Sequence, residues 1–155
     1  MGRRTLGIWG EEHWVGYHPG DAEFRLIAGG NSNWRGPIWF PLNFLIIESL
    51  QKFHHYYGDS LQVDFPTGSG HKMNLKEIAA ELSKRLTPLF IKKSDGTRPI
   101  YPKESLFNQD ESWQDYLLFH EFFYGDNGLG LGASHQTGWT ALVAKLLQQL
   151  GGEKT

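Results

Sequence analysis

The stretch Pro37-Ile-Trp-Phe-Pro-Leu-Asn-Phe-Leu-Ile-Ile-Glu-Ser-Leu-Gln-Lys-Phe-His-His55 decides what kind of fold this chain can have. Trp39, Leu42, Leu45, Ile46, Ile47, Leu50 and Phe53 wind around most of a helical circumference, and a helix that is apolar nearly all round is buried between neighbours rather than lying on a surface. Pro37 suits a first helical turn, where its missing N–H is no loss. The helix is therefore expected to open at Asn33-Trp-Arg-Gly-Pro37 and to end near His54-His55-Tyr56-Tyr57-Gly58. Alone, it would expose an apolar surface prone to association.

Working outward, Asn74-Leu-Lys-Glu77 is an N-cap followed by a capping-box Glu. Leu75, Ile78, Ala79, Leu82 and Leu86 recur at spacings of three and four, which predicts an amphipathic helix. Residues 91–111 read as loop, and Trp113–Phe123 fits either a short strand or a buried helical turn. Tyr124–Gly132 is a Gly-rich loop. Thr137 is expected to cap a last helix through Trp139, Leu142, Val143, Leu146, Leu147 and Leu150, stopping at Gly151-Gly152. Residues 1–33, punctuated by Gly7, Gly10, Gly16, Gly20, Gly29 and Gly30, carry no sustained period and read as an irregular lead-in of loop and short extended pieces. The fold class is mainly α, with residues 1–155 as a single region whose helices and long loops occupy 34–150.

The 155 residues balance 15 Lys+Arg against 17 Asp+Glu, and a net charge of −2 argues against nucleic acid or an anionic membrane surface as partner. With no cysteine there is no disulfide, thiolate metal site or cysteine nucleophile. The apolar run Ile38–Ile47 is broken by Pro41 and Asn43, far short of the ~20 residues of a membrane span. No secretory h-region follows Met1, so a cytoplasmic location is the expectation. Two surpluses stand out: 6 Trp, 6 Tyr and 10 Phe make 14% aromatic, and there are 19 glycines. Aromatic faces with Gly-shaped loops suit stacking on ring-shaped ligands; a core of large side chains joined by tight turns explains the same counts.

Gly128-Leu-Gly-Leu-Gly-Ala133 formally matches a dinucleotide fingerprint, but no βαβ unit surrounds it, and the glycines are better read as sharp turns or close approaches. Seven histidines include the adjacent His54 and His55, which point about 100° apart on a helix and cannot share one ion; no metal or organic cofactor is implied. Ser134-His135 is too close in sequence to form a relay. Glu121 is the best remaining chemistry, because it lies among Leu117, Leu118, Phe119, Phe122, Phe123 and Tyr124, where desolvation disfavours a charge that is neither paired nor used. Either it is an acid or base, or Arg35 or a histidine neutralises it. Sugar hydrolysis needs two carboxylates and stacking aromatics, which fits this composition.

Two segments then become recognisable. Gly29-Gly-Asn-Ser-Asn-Trp-Arg-Gly-Pro-Ile-Trp39, continuing to Asn43, resembles the W-R-G-P-I-W-x-x-x-N stretch of glycoside hydrolase family 63. Glu121-Phe-Phe-Tyr-Gly-Asp-Asn-Gly-Leu-Gly-Leu-Gly-Ala-Ser-His-Gln-Thr-Gly-Trp139 is similar to that family's second block, with Glu121 seven residues before Gly128 and Thr137 nine beyond it. The resemblance implies an (α/α)6 barrel, of which this chain is expected to be the C-terminal, incomplete part, and hydrolysis of α-glycosidic bonds with inversion. It implies Glu121 as general base, with Trp34 and Arg35 lining the glycone subsite. Trp39 and Trp139 follow as further walls or as packing, and Asn33, Asn43 and His135 as hydrogen-bonding members. The substrate implied is an oligosaccharide or small glycoside of glucosidase or mannosidase type.

Inversion needs a second carboxylate, and in the family this general acid lies upstream of the W-R-G-P block. Tyr17-His-Pro-Gly-Asp21 is similar to the loop just before that block, so the acid is expected outside this chain, with Asp21, Glu11 and Glu12 as the only local substitutes. The partner expected is then the N-terminal part of the barrel. A non-catalytic sugar-binding remnant and a subunit requiring a separate N-terminal half are the alternatives.

Overall fold

The computed structural model describes residues 4–8, 11–15 and 36–152. The fold is mainly α. Strands β1 (Arg4–Ile8) and β2 (Glu11–Val15) pair antiparallel, with Arg4 opposite Val15 and Ile8 opposite Glu11. These are two of the short extended pieces expected within 1–33; what the sequence did not announce is that they pair. Five-residue strands separated only by Trp9-Gly10 are too short for a period of two to stand out in the sequence. Asn33, Trp34 and Arg35 lie outside the described residues, as do His18 and Asp21.

Helix α1 (Phe40–Tyr57) begins three residues later than expected. Pro41, not Pro37, occupies its first turn, because Ile38 is held in extended pairing: its N–H donates to the Phe123 carbonyl at 2.8 Å and its own carbonyl accepts from the Phe123 N–H at 3.0 Å. Asn43 Nδ2 donates to the Trp39 carbonyl at 2.8 Å and reinforces that first turn. The C-terminus falls where the sequence placed it, with the Gly58 N–H donating to the His54 carbonyl. His54 and His55 sit in the last turn, the end of the helix dipole that suits them.

A short 3-10 turn (Gly58–Ser60) leads into the hairpin β3 (Gln62–Asp64) and β4 (Lys72–Asn74). Helix α2 (Leu75–Leu86) opens with the anticipated capping box. Asn74 Oδ1 accepts from the Glu77 N–H at 2.9 Å, and Glu77 Oε2 accepts from the Asn74 N–H at 2.8 Å. Leu75, Ile78, Ala79 and Leu86 are its buried stripe, as the spacing predicts.

The loop of residues 91–111 contains one turn the sequence did not announce, α3 (Leu106–Gln109), capped by the Ser105 hydroxyl. Buried Asn108 organises this loop: its Oδ1 accepts from the Arg98 N–H at 2.9 Å, while its amide donates to the Tyr101 and Pro102 carbonyls. The ambiguous run Trp113–Phe123 resolves into a turn and then extended chain, ending in β5 (Phe122–Phe123) paired with β6 (Gly130–Leu131).

The last helix is split. Thr137 is the first residue of α4 (Thr137–Thr140), with Gln136 in the cap position, and α5 (Leu142–Gly152) follows. Thr137 does not cap because the Gln136 N–H donates to the Phe119 carbonyl at 2.8 Å, which fixes where extended chain ends and helix begins.

The core joins α1, α2, α5 and the β5 strand through Phe40, Ile47, Ala79, Leu86, Phe90, Phe123 and Leu146. The rings of Phe40, Phe90 and Phe123 form a triangle with every centroid pair 5.6 Å apart and every pair edge to face. By contrast, Leu42, Leu45, Ile46, Phe53 and Tyr56 of α1 are exposed. Among the described residues, no helix is long and apolar enough to cross a membrane.

Tyr101 ties the loop to the strand. Its hydroxyl accepts from the Leu118 N–H at 2.8 Å and donates to the Tyr116 carbonyl at 3.2 Å, and burial pushes its pKa above the ordinary value. Tyr101→Phe strands both backbone groups and is expected to cost about 1–3 kcal/mol in denaturant unfolding. Because the folded state holds this proton more tightly than the unfolded chain, the stability it carries is complete below ~10 and falls as pH rises beyond that. The alkaline loss of stability should be smaller in the variant.

Candidate active site

The extended segment Phe119–Phe123 is held from both sides. On one side Phe123 pairs with Ile38. On the other, Phe119 pairs with His135, the Glu121 N–H donates to the Ala133 carbonyl at 2.8 Å, and Phe122 and Phe123 face Leu131 and Gly130. The Thr140 hydroxyl, fully buried, donates to the His120 carbonyl and locks α4 onto the same segment.

Glu121 is half-buried on this frame, and its Oε2 accepts from the Ala133 N–H at 3.3 Å. Its neighbour across the pairing is Gly132, at φ 69°. A Cβ there would stand 2.7 Å from Glu121 Oε2, 2.9 Å from Glu121 Cβ and 2.9 Å from the Phe122 ring. At Gly130 a Cβ would stand 2.2 Å from the His120 ring. At Gly128 a Cβ would stand 2.3 Å from Leu89, so both glycines of the G-x-G-x-x-A match, 128 and 130, make room for the protein's own side chains. The aromatic setting read from sequence is real but one-sided. Phe123 and Phe119 turn into the core, while the carboxylate lies against glycine and backbone N–H.

Next to it stands an aromatic wall. The Trp39 ring stacks on Phe122 at 4.8 Å, and Trp139 meets Trp39 edge-on at 6.4 Å. Trp39 is only 5% exposed, whereas Trp139 is 38% exposed. Of the residues singled out by sequence, the structure therefore brings Trp39, Glu121, His135 and Trp139 to one end of the molecule. His135 is exposed there, with its backbone paired to Phe119. Asn43 is close by in sequence to Trp39, but its amide is engaged by the Trp39 carbonyl. Asn33, Trp34 and Arg35 are not among the described residues.

Sequence reasoning missed the parts that seat Glu121, namely the Ala133 N–H and the space at Gly132. The signal was present in the glycines at 128, 130 and 132, each of which leaves the room a Cβ would take to a neighbouring side chain. Elsewhere, a cavity of about 670 Å³ between the end of α1 and the start of α2, lined by His54, Asp59, His71 and Glu77, contains none of these residues. Among the described residues no cluster of three or more His, Asp or Glu could hold a metal ion.

Two relatives are glucosidases. Mannosyl-oligosaccharide glucosidase of Saccharomyces cerevisiae is 29% identical over 114 residues, 74% of this chain and 11% of that protein. Probable mannosyl-oligosaccharide glucosidase of Schizosaccharomyces pombe is 27% identical over 121 residues, 77% of this chain and 11% of that protein. A nearer relative, the uncharacterized protein YMR196W of Saccharomyces cerevisiae, is 50% identical over 148 residues, 94% of this chain and 14% of that protein. The chain thus spans between 11% and 14% of the length of these relatives. No family model matches it, and no solved structure does.

The Gly132 seat yields a direct test. Gly132→Ala adds a Cβ into the carboxylate at a positive φ, and is expected to destabilise by about 1–3 kcal/mol in thermal unfolding. Gly138→Ala, in α4 with open space around its Cβ, should be neutral or stabilising by up to ~1 kcal/mol.

Proposed function

We propose that Glu121 is the general base of an inverting α-glycosidase site, and that this chain supplies the base and the glycone-side walls. The observation that carries the reading is the seat of Glu121. A half-buried carboxylate is fixed by one backbone N–H against a glycine, beside an aromatic wall whose outer ring, Trp139, faces solvent. The distant similarity to two glucosidases supports it independently.

In this reading Glu121 accepts a proton from water as the water oxygen bonds to the anomeric carbon. The glycosidic C–O bond breaks on the opposite side of the ring, and a carboxylic acid protonates the departing oxygen. Base and acid stand ~6.5–9.5 Å apart to admit the water. The acid comes from polypeptide outside the described residues, in the N-terminal part of the (α/α)6 barrel to which these helices belong. Trp139 stacks on the apolar face of the sugar while Trp39 and Phe122 support it from behind. Trp34 and Arg35 complete the glycone subsite, with Asn33 and His135 as hydrogen-bonding members.

The seat also explains why a carboxylate works here as a base. In this reading the Ala133 N–H holds one carboxylate oxygen and the other faces the water. Glu121→Gln keeps shape and hydrogen bonding but removes the base. In the native polypeptide purified from its source, hydrolysis of an aryl α-glucoside or α-mannoside should fall by roughly 10²–10⁴-fold in kcat, with unchanged thermal stability. Near-normal turnover would refute the assignment of Glu121. Saturable quenching of tryptophan fluorescence by sugar in a wild type that never hydrolyses would instead mark a binding-only site.

A further inference from the structure

We propose that Thr140 is a positioning residue: its hydroxyl fixes the peptide that carries Glu121 and sets that carboxylate against the Trp139 ring. The inference rests on the reading of Glu121 as the base and starts from a buried group that this reading does not use. Thr140 is fully buried, and its hydroxyl donates to the His120 carbonyl at 2.5 Å. A buried hydroxyl needs a partner, and in a helix the local partner is the carbonyl four residues earlier. Two serines of this chain take it. Ser49 donates to the Leu45 carbonyl at 2.7 Å and buried Ser83 to the Ala79 carbonyl at 2.9 Å. Thr140 does not. The Gln136 carbonyl already accepts from the Trp139 and Thr140 N–H groups, and the Thr140 hydroxyl reaches across to a segment 20 residues away.

What the bond holds is one peptide plane. In a trans peptide the C=O and N–H are coplanar and point to opposite sides. The plane between His120 and Glu121 gives its C=O to Thr140 and its N–H to the Ala133 carbonyl at 2.8 Å. It is thus anchored to α4 on one side and to the glycine-rich segment on the other. Ala133 then gives its own N–H to Glu121 Oε2, at 3.3 Å. That is longer than the 2.7–3.2 Å usual for such a bond, so the carboxylate is held only as well as the plane beneath it.

The same hydroxyl turns the aromatic ring toward the base. A helix of four residues is too short to hold its own orientation, and α4 takes its orientation from this segment. The Gln136 N–H donates to the Phe119 carbonyl at 2.8 Å, and Thr140 takes the next carbonyl along. The first bond fixes where α4 starts and the second fixes how it is rotated. Trp139, the residue before Thr140, follows that rotation. Base and stacking ring stand on two separate elements, and Thr140 joins them.

Thr140→Val keeps the shape of the side chain and removes the donor, whereas Thr140→Ser keeps the donor. In the native polypeptide purified from its source, valine should lower kcat on an aryl α-glucoside or α-mannoside roughly 10–100-fold. KM should stay within about twofold, because the sugar still stacks on Trp139 while the water loses its alignment. Serine should restore most of the rate. Amide hydrogen exchange over residues 119–123, read by peptide mass spectrometry, needs no activity and should quicken about tenfold or more with valine and recover with serine. Thr140→Ala takes the place of valine if that variant does not fold. Wild-type exchange in the variant overturns the proposal. So does a lost rate that serine fails to restore, which marks packing alone, or a normal kcat where Glu121→Gln is inactive. Near-normal turnover of Glu121→Gln condemns the base assignment instead, and the exchange then decides by itself whether Thr140 holds the peptide of Glu121.

Discussion

The pairing of Ile38 with Phe123 is the constraint on which the rest of the structure depends. Two backbone hydrogen bonds, 2.8 and 3.0 Å, join residues far apart in sequence. The Phe123 side chain between them is fully buried against Phe40 and Phe90. Buried backbone groups must be paired, so the chain cannot turn helical until these bonds are made. That is why α1 starts at Phe40 and why Trp39, at the junction, lands on Phe122. One extended contact thus sets the start of the longest helix and the back of the aromatic wall together.

The same segment sets the carboxylate. Phe119 and Phe123 are turned into the core and the Glu121 N–H is tied to the Ala133 carbonyl, so the backbone that carries Glu121 is fixed on both sides of it. Its pairing strand presents glycine at 130 and 132, which lets the two chains approach with His120 and Glu121 packed into the space a Cβ would fill. A carboxylate held by backbone geometry is insensitive to salt in a way that a surface ion pair is not.

Much of this was legible from local chemistry. The capping box at Asn74 and Glu77, the stripe of α2 and the end of α1 at Gly58 are all set within a few residues of themselves, and the sequence states them openly. Where the sequence misled, a distant partner had decided. Pro37 has the chemistry of a helix start, yet Ile38 is claimed by Phe123; Thr137 has the chemistry of a cap, yet Gln136 is claimed by Phe119. The β1–β2 hairpin was too short to show a period. For the site, residue type and motif spacing singled out Glu121, but the N–H that holds it belongs to Ala133, which has no chemistry of its own to notice.

The apolar circumference of α1 carries a last consequence. Both halves of it were written in the sequence, but only one is used by the described residues: Phe40 and Ile47 hold the helix to the core, and Gln51 and Glu48 hold it to α5 through Gln149. The helix is continuous for 18 residues and begins at the aromatic wall. Its start is fixed by the Ile38–Phe123 pairing, so the first turn of the helix and the stacking of Trp39 on Phe122 are set by the same two hydrogen bonds.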